Sequence, residues 1–181
     1  MTPEPALRDA LLAAVPSLRA FAISLCGQID RADDLVQDTL LRALSNIDRF
    51  ERGTNLNAWL FTILRNLFHS EYRKRRREVE DADGSYAGRL KVQPEQGSRL
   101  DFEDFRAALE KLAHDQREAL LLVGASGFSY EEAATICGCA VGTIKSRVNR
   151  ARSRLGCLLA VDGVEDLGPD RMTRAALQGI V

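Results

Sequence analysis

From Ala133 to Val161 the chain carries Lys145, Arg147, Arg150, Arg152 and Arg154 and not one acid. Cations at this density neutralise phosphate, and an arginine fork can also pair with both acceptors on a guanine edge. Thr143, Ser146, Asn149 and Ser153 are interleaved with them and can read smaller groups on bases. A second basic cluster, Arg65, Arg73, Lys74, Arg75, Arg76 and Arg77, comes with a single acid, Glu71. Asn66, His69 and Tyr72 share its segment, and Trp59 and Phe61 lie just upstream. Cations mixed with rings suit melted DNA, where charge follows the phosphates and rings stack on exposed bases. The alternative is that Trp59 and Phe61 are core and Arg73 to Arg77 a frayed polar helix end; on residue type alone, Trp59 reads as core.

A third group is acidic. Asp33, Asp34, Gln37 and Asp38 fall on the outer side of one helical segment, with Leu41 on the same side. A partly apolar acidic patch points to a protein partner rather than to nucleic acid. An ordinary solvated face is the alternative.

Other chemistries find little support. Cys137-x-Cys139 with a distant Cys157 is not a common zinc spacing, and Cys26 stands apart. The four cysteines are read as reduced thiols. His69 and His114 are the only histidines, and no nucleophile setting surrounds them. No catalytic residue, metal site or cofactor is assigned, and an enzyme is not expected.

Helices must position these groups. Leu7, Leu11, Leu12, Val15, Leu18 and Phe21 recur at helical spacing, with a break or kink expected near Val15 because Pro16 follows. Ala32, Leu35, Val36, Thr39, Leu40, Ala43, Leu44 and Ile47 repeat at i, i+3, i+4, i+7. Leu56, Leu60, Ile63, Leu64 and Leu67 mark a third helix that runs into the basic cluster, and Asp48 to Asn57 reads as a loop. Beyond residue 100, Phe105, Leu109, Leu112 and Ala119 to Val123 predict two helices broken near His114-Asp115. Ser129-x-x-Glu132 is a capping box that opens a helix through Ile136, which Gly138 ends. A last helix runs from about Val141 to Leu155, with Ile144, Val148, Ala151 and Leu155 as its buried stripe. A capped helix, a glycine turn and a basic amphipathic helix make a helix-turn-helix. The expected class is all-α.

The segment 79–101 is acidic and holds Gly84, Ser85, Gly88, Pro94, Gly97 and Ser98, so it reads as a flexible linker. It separates residues 1–78 from 102–160, and an acidic then apolar tail, 161–181, follows. The 181-residue chain is 45% hydrophobic and 28% charged, which excludes a wholly disordered protein. No uncharged apolar run approaches the ~18 residues that span a bilayer. Met1-Thr2-Pro3-Glu4 has no basic, then apolar, export pattern, so a cytoplasmic location and no membrane insertion are expected.

Three segments resemble the sigma-70 family of bacterial transcription initiation factors. Asp33-Asp34-Leu35-Val36-Gln37-Asp38-Thr39 with Leu40-Leu41-Arg42-Ala43 is similar to the family's polymerase-binding helix. Asn57-Ala58-Trp59-Leu60-Phe61-Thr62-Ile63-Leu64-Arg65-Asn66, with Arg73 to Arg77 behind it, resembles the promoter −10 segment. Phe128 to Ala134 and Val141 to Arg152 resemble the −35-reading helix-turn-helix. The resemblance covers about residues 8–158. The absence of extra domains around the linker is similar to the extracytoplasmic-function (ECF) group, and Ile136 to Gly142 looks most like its alphaproteobacterial general-stress-response members.

The resemblance implies two small domains, of sigma-2 and sigma-4 type. It implies that Asp33, Asp34, Gln37, Asp38 and Leu41 dock on the clamp of the polymerase β′ subunit, with the β flap as a further contact. Arg52, Asn55, Asn57, Arg65, Asn66, Arg73, Lys74 and Arg76 would hold melted −10 DNA, with a flipped base at the Arg52 to Asn57 loop. Thr143, Lys145, Ser146, Arg147, Asn149, Arg150 and Arg154 would read the −35 element. A soluble anti-sigma factor of the NepR type would hold the protein inactive, and a PhyR-type regulator would release it. No small-molecule substrate is implied. The sequence departs from the family at Ala140, where many relatives have a capping residue, which weakens the helix start by about 1 kcal/mol.

Two other readings compete: a sigma-like mimic that sequesters an anti-sigma factor, and a conventional helix-turn-helix regulator. A mimic has no need of Arg147, Arg150 or the Arg73 to Arg77 run. The conventional regulator leaves the Trp59 to Asn66 motif unexplained. The net charge of −1 hides the segregation: Arg65–Arg77 and Ala133–Val161 are each strongly basic, while Glu78–Asp104 is acidic.

Overall fold

The structure is a computed structural model that describes residues 5–81 and 99–159. Helix α1 spans Pro5–Cys26, α2 Ile29–Ser45 and α3 Leu56–Asp81. A 3-10 turn at Ile47–Arg49 follows α2. Helix α4 spans Arg99–Glu110, α5 His114–Gly124, α6 Tyr130–Cys137 and α7 Val141–Leu159. There is no strand among the described residues. The chain divides into two compact units, the first holding α1 to α3 and the second α4, α5, α7 and the start of α6. Most of the expected linker and all of the tail lie outside the described residues.

In the first unit α1, α2 and α3 pack pairwise. Helix α1 contributes Leu11, Ala14, Leu18, Phe21, Ala22 and Leu25, which fall on one helical face. Helix α2 contributes Ala32, Leu35, Val36 and Ala43, and α3 contributes Leu60, Phe61, Leu64 and Phe68. The rings of Phe21 and Phe61 meet at 5.1 Å between centroids. Burial of a Phe or Leu of this kind stabilises the fold by about 1.5–3 kcal/mol. Thr39 is buried without loss because its hydroxyl donates to the Leu35 carbonyl at 2.7 Å.

Three expectations about this unit need correction. Pro16 lies inside a continuous α1, so the expected break near Val15 does not occur. Its ring is on the exposed face, so the Leu12 carbonyl it leaves unpaired belongs to an exposed turn open to water. Leu12 and Leu44, read as core, are 57% and 42% exposed, because each sits at the margin of its helix's buried stripe. The expected loop at Asp48 to Asn57 begins with the 3-10 turn and is shorter, because α3 starts at Leu56.

Helix α1 is long and apolar enough, over Leu7–Cys26, to cross a membrane by length and composition. Here that apolarity supplies the core stripe that packs on α2 and α3.

In the second unit α7 packs on α4 and α5. Ala108, Leu109, Leu112, Ala151 and Leu155 form one cluster, with Leu120, Leu121, Leu158 and Leu159 against it. Leu158 and Leu159 extend α7 beyond the expected end at Leu155. Between α4 and α5 the Arg117 guanidinium donates to the Glu110 and Leu112 carbonyls, at 3.1 and 3.4 Å. It thereby satisfies carbonyls that the end of α4 leaves open.

Candidate nucleic-acid and protein-docking faces

The helix-turn-helix is built by local chemistry. The Ser129 hydroxyl accepts from the Glu132 amide at 3.1 Å, and the Glu132 carboxylate accepts from the Ser129 amide at 2.9 Å. This is the reciprocal capping box expected from the sequence. At the other end of α6, Gly138 takes a φ of +62°. The Cys139 amide then donates to the Ala134 carbonyl at 3.0 Å and the Gly138 amide to Thr135 at 3.2 Å. That pair of bonds is a Schellman closure, and a side chain at Gly138 would be strained there. Ala140 offers no side-chain cap, so its carbonyl opens α7 alone, accepting from the Thr143 and Ile144 amides.

Helix α7 divides as its sequence predicts. Ile144, Val148, Ala151 and Leu155 are buried. Thr143, Lys145, Ser146, Asn149, Arg150 and Arg154 are exposed on one helix surface. The Lys145 ammonium lies 5.8 Å from the centre of the Tyr130 ring. Arg147 differs from its neighbours. It is half-buried, its Nε is 3.1 Å from Asp115 on α5, and its Nη1 donates to the Cys139 thiol sulfur at 3.8 Å. Arg152, also read as surface, is half-buried.

On the first unit the acidic face is where the sequence puts it. Asp34, Gln37 and Asp38 are exposed, and Leu41 is 62% exposed beside them. Asp33 belongs to a different set of contacts. It accepts two hydrogen bonds from Arg19 of α1, which hold its carboxyl below the usual aspartate range.

A cleft of about 470 Å³ lies between α2 and α3, lined by Arg31, Asp34, Gln37, Asp38, Glu71, Lys74 and Arg75. It brings Lys74, a −10 candidate on α3, to the same cleft as three docking candidates on α2. Arg75 belongs to the basic run behind the −10 segment, while Arg31 and Glu71 have no site role in the sequence reading. Only the packing of α2 against α3 brings them there.

The −10 candidates are spread along the loop and α3. Arg52 sits beside Gly53, whose φ of +93° turns the loop. Asn55 caps α3: its side-chain oxygen accepts from the Ala58 amide at 3.2 Å and its carbonyl from the Trp59 amide at 3.1 Å. Phe50 rests against Trp59 at 5.2 Å, which ties the loop to the helix. Phe61 is fully buried, whereas Trp59, read as core from residue type, is only half-buried. Asn57, Asn66, Arg73 and Lys74 are exposed and Arg65 is half-buried. The Arg73 Nε donates to the His69 carbonyl at 3.3 Å. The Arg76 side chain lies outside the described residues. Tyr72 is 56% exposed and stacks on Phe68.

Comparison with known proteins agrees with this anatomy. Residues 11–78 match the Sigma-70 region 2 family and residues 102–155 the Sigma-70 region 4 family. The chain is 76% identical over 173 residues to the ECF RNA polymerase sigma factor EcfG of Rhodopseudomonas palustris, covering 96% of each protein. It is 36% identical to the ECF sigma factor SigC of Mycobacterium tuberculosis over 83% of this chain and 78% of that one. Its fold matches the sigma factor RpoE of Bartonella quintana, solved in complex with the anti-sigma factor NepR. That match has a TM-score of 0.81 at 58% identity and covers 88% of this chain and all of the other. With both sigma-70 regions on one polypeptide and 76% identity to an ECF sigma factor over almost the whole of both chains, the chain belongs to the sigma-70 family, as an ECF RNA polymerase sigma factor.

Proposed function

We propose that α2 docks the chain on the β′ clamp of core RNA polymerase through Asp34, Gln37, Asp38 and Leu41. In this reading the loop and α3 hold melted −10 DNA through Arg52, Asn55, Asn57, Arg65, Asn66, Arg73, Lys74 and Arg76. Helix α7 enters the major groove of the −35 element with Thr143, Lys145, Ser146, Asn149, Arg150 and Arg154 outward. The observation that carries it is the division of α7 between a buried apolar stripe and an exposed polar, basic face. That face also weighs against the mimic reading, because a protein that only captures an anti-sigma factor has no use for outward Lys145, Arg150 and Arg154. The polymerase supplies the chemistry, so the chain needs no catalytic residue of its own and acts in the cytoplasm.

A NepR-type anti-sigma factor is the proposed inhibitor, and general-stress promoters are the proposed targets. The RpoE relative bound to NepR supports this assignment. Transcription with purified core polymerase tests the reading. Addition of the chain should give promoter-dependent initiation, and a NepR-type protein should abolish it. Failure to direct initiation at any promoter would overturn the proposal.

A further inference from the structure

Helix α7 turns by about 100° per residue, so its side chains can be assigned to faces. Ser146, Asn149, Arg150 and Ser153 lie about 130° or more round from the centre of the buried stripe. All are exposed. Arg147 is only about 70° from that centre, on the flank of the stripe. Its side chain keeps 25% of its exposure, against 50% for Asp115. Two groups bracket the guanidinium, the Asp115 carboxylate in the first turn of α5 and the Cys139 sulfur in the turn before α7. These contacts connect three parts of the second unit at one point. An arginine so held is committed through Nε and Nη1 to contacts within the unit, not turned outward with Ser146, Asn149 and Arg150.

We propose that Asp115 is a positioning residue for promoter recognition: it holds Arg147 as a strut between α5 and α7, and so fixes the rotation at which Ser146, Asn149 and Arg150 meet the −35 bases. The inference rests on the reading of α7 as the −35 helix. It assigns Arg147 away from the bases and gives Asp115, on α5 rather than on the recognition helix, a role in specificity. A few degrees of rotation displace every outward side chain together. Loss of the strut therefore lowers discrimination at several base positions at once rather than at one.

The test uses holoenzyme assembled from purified core polymerase and the full chain. Its probes are a promoter selected by the wild type from a randomised −35 library and the single-base variants of that promoter. The proteins are wild type, Asp115→Asn, Arg147→Gln, the double variant and Asp115→Glu, each checked for folding by its thermal transition. Each single variant should lower discrimination by roughly three- to fivefold at several −35 positions. The double should be no worse than either single, and Asp115→Glu should recover most of the loss. The salt dependence of binding should stay unchanged, since a strut releases no counterions.

Tighter binding by Asp115→Asn with an unaltered base profile would overturn the proposal, because Asp115 would then merely compete with DNA for Arg147. So would loss at a single base position in Arg147→Gln alone, or additive effects in the double variant. Failure of the wild type to initiate at all would count against the sigma reading itself, and it is seen before any variant is compared.

Discussion

The Arg19 guanidinium of α1 grips the Asp33 carboxylate of α2 with two parallel bonds, Nε to Oδ1 at 2.6 Å and Nη2 to Oδ2 at 3.1 Å. The fork geometry fixes both planes, which a lysine could not do. Those hydrogen bonds, with the arginine's charge behind them, lower the Asp33 pKa. A lowered carboxyl pKa gives stability that is present above the unfolded aspartate value, about 3.9, and lost as pH falls through the folded value. Arg19→Gln should therefore be less stable than wild type at neutral pH, and the difference should shrink in acid as the pH falls through the lowered Asp33 value. Denaturant unfolding at neutral and acid pH measures this. Both side chains are exposed, so the effect is small; a difference that persists in acid would show that the pair is not its source.

The same contact separates Asp33 from the proposed docking face. Asp38→Lys and Leu41→Asp should each weaken binding to core polymerase by about tenfold or more, as at the centre of an interface. Both positions are exposed, so thermal stability should change by less than about 0.5 kcal/mol. Asp33→Asn should leave core binding close to wild type. If Asp33→Asn matched Asp38→Lys in its effect, the ion pair with Arg19 would have to open on docking.

On α7 the outward residues should separate into two classes. Asn149→Ala and Arg150→Ala should each cost about 1–3 kcal/mol at one −35 base position and relax selection there. Lys145→Ala should weaken binding evenly on all sequences and reduce the salt slope by about 1. Binding isotherms on single-base variants at several salt concentrations distinguish the two. An even loss for Arg150→Ala would make it a phosphate contact.

These assignments trace what the sequence can and cannot reveal. The capping box at Ser129 and Glu132, the turn at Gly138 and the stripe from Ile144 to Leu155 were all legible, because each depends on neighbours within a turn or two. The partners of Asp33 and Arg147 were not. Each lies on another helix, and a charge on a helix surface looks the same whether a partner waits across the interface or not. Pro16 misled for a related reason. Its consequence depends on whether the freed carbonyl meets solvent or core, which only the packing of α1 decides. The cleft lined by Asp34, Asp38, Lys74 and Arg75 likewise arises from the approach of α2 to α3, and neither segment alone contains it.

The capping box has a measurable share in stability. Ser129→Ala should destabilise the second unit by about 1 kcal/mol, the usual worth of an N-cap. Glu132→Ala should cost less, and the double variant should fall short of the sum, because each bond helps to fix the other. Chemical denaturation of the four proteins gives the cycle. Strict additivity would mean that the two bonds form independently.

Asn55 has two possible duties, and they can be told apart. Its side-chain oxygen caps α3 through the Ala58 amide, a structural task that any good N-cap residue performs. The family resemblance also makes it a −10 candidate, a task that calls for the amide group. Asn55→Ala should lose about 1 kcal/mol of stability. Asn55→Ser should restore that stability, since the serine oxygen caps equally well. If promoter opening also recovers with serine, as followed by permanganate reactivity of the −10 thymines, the residue acts through the helix start alone. If opening stays impaired while stability returns, the amide itself meets the DNA, and the exposed loop from Arg52 to Asn57 is a reading surface as well as an entry to α3.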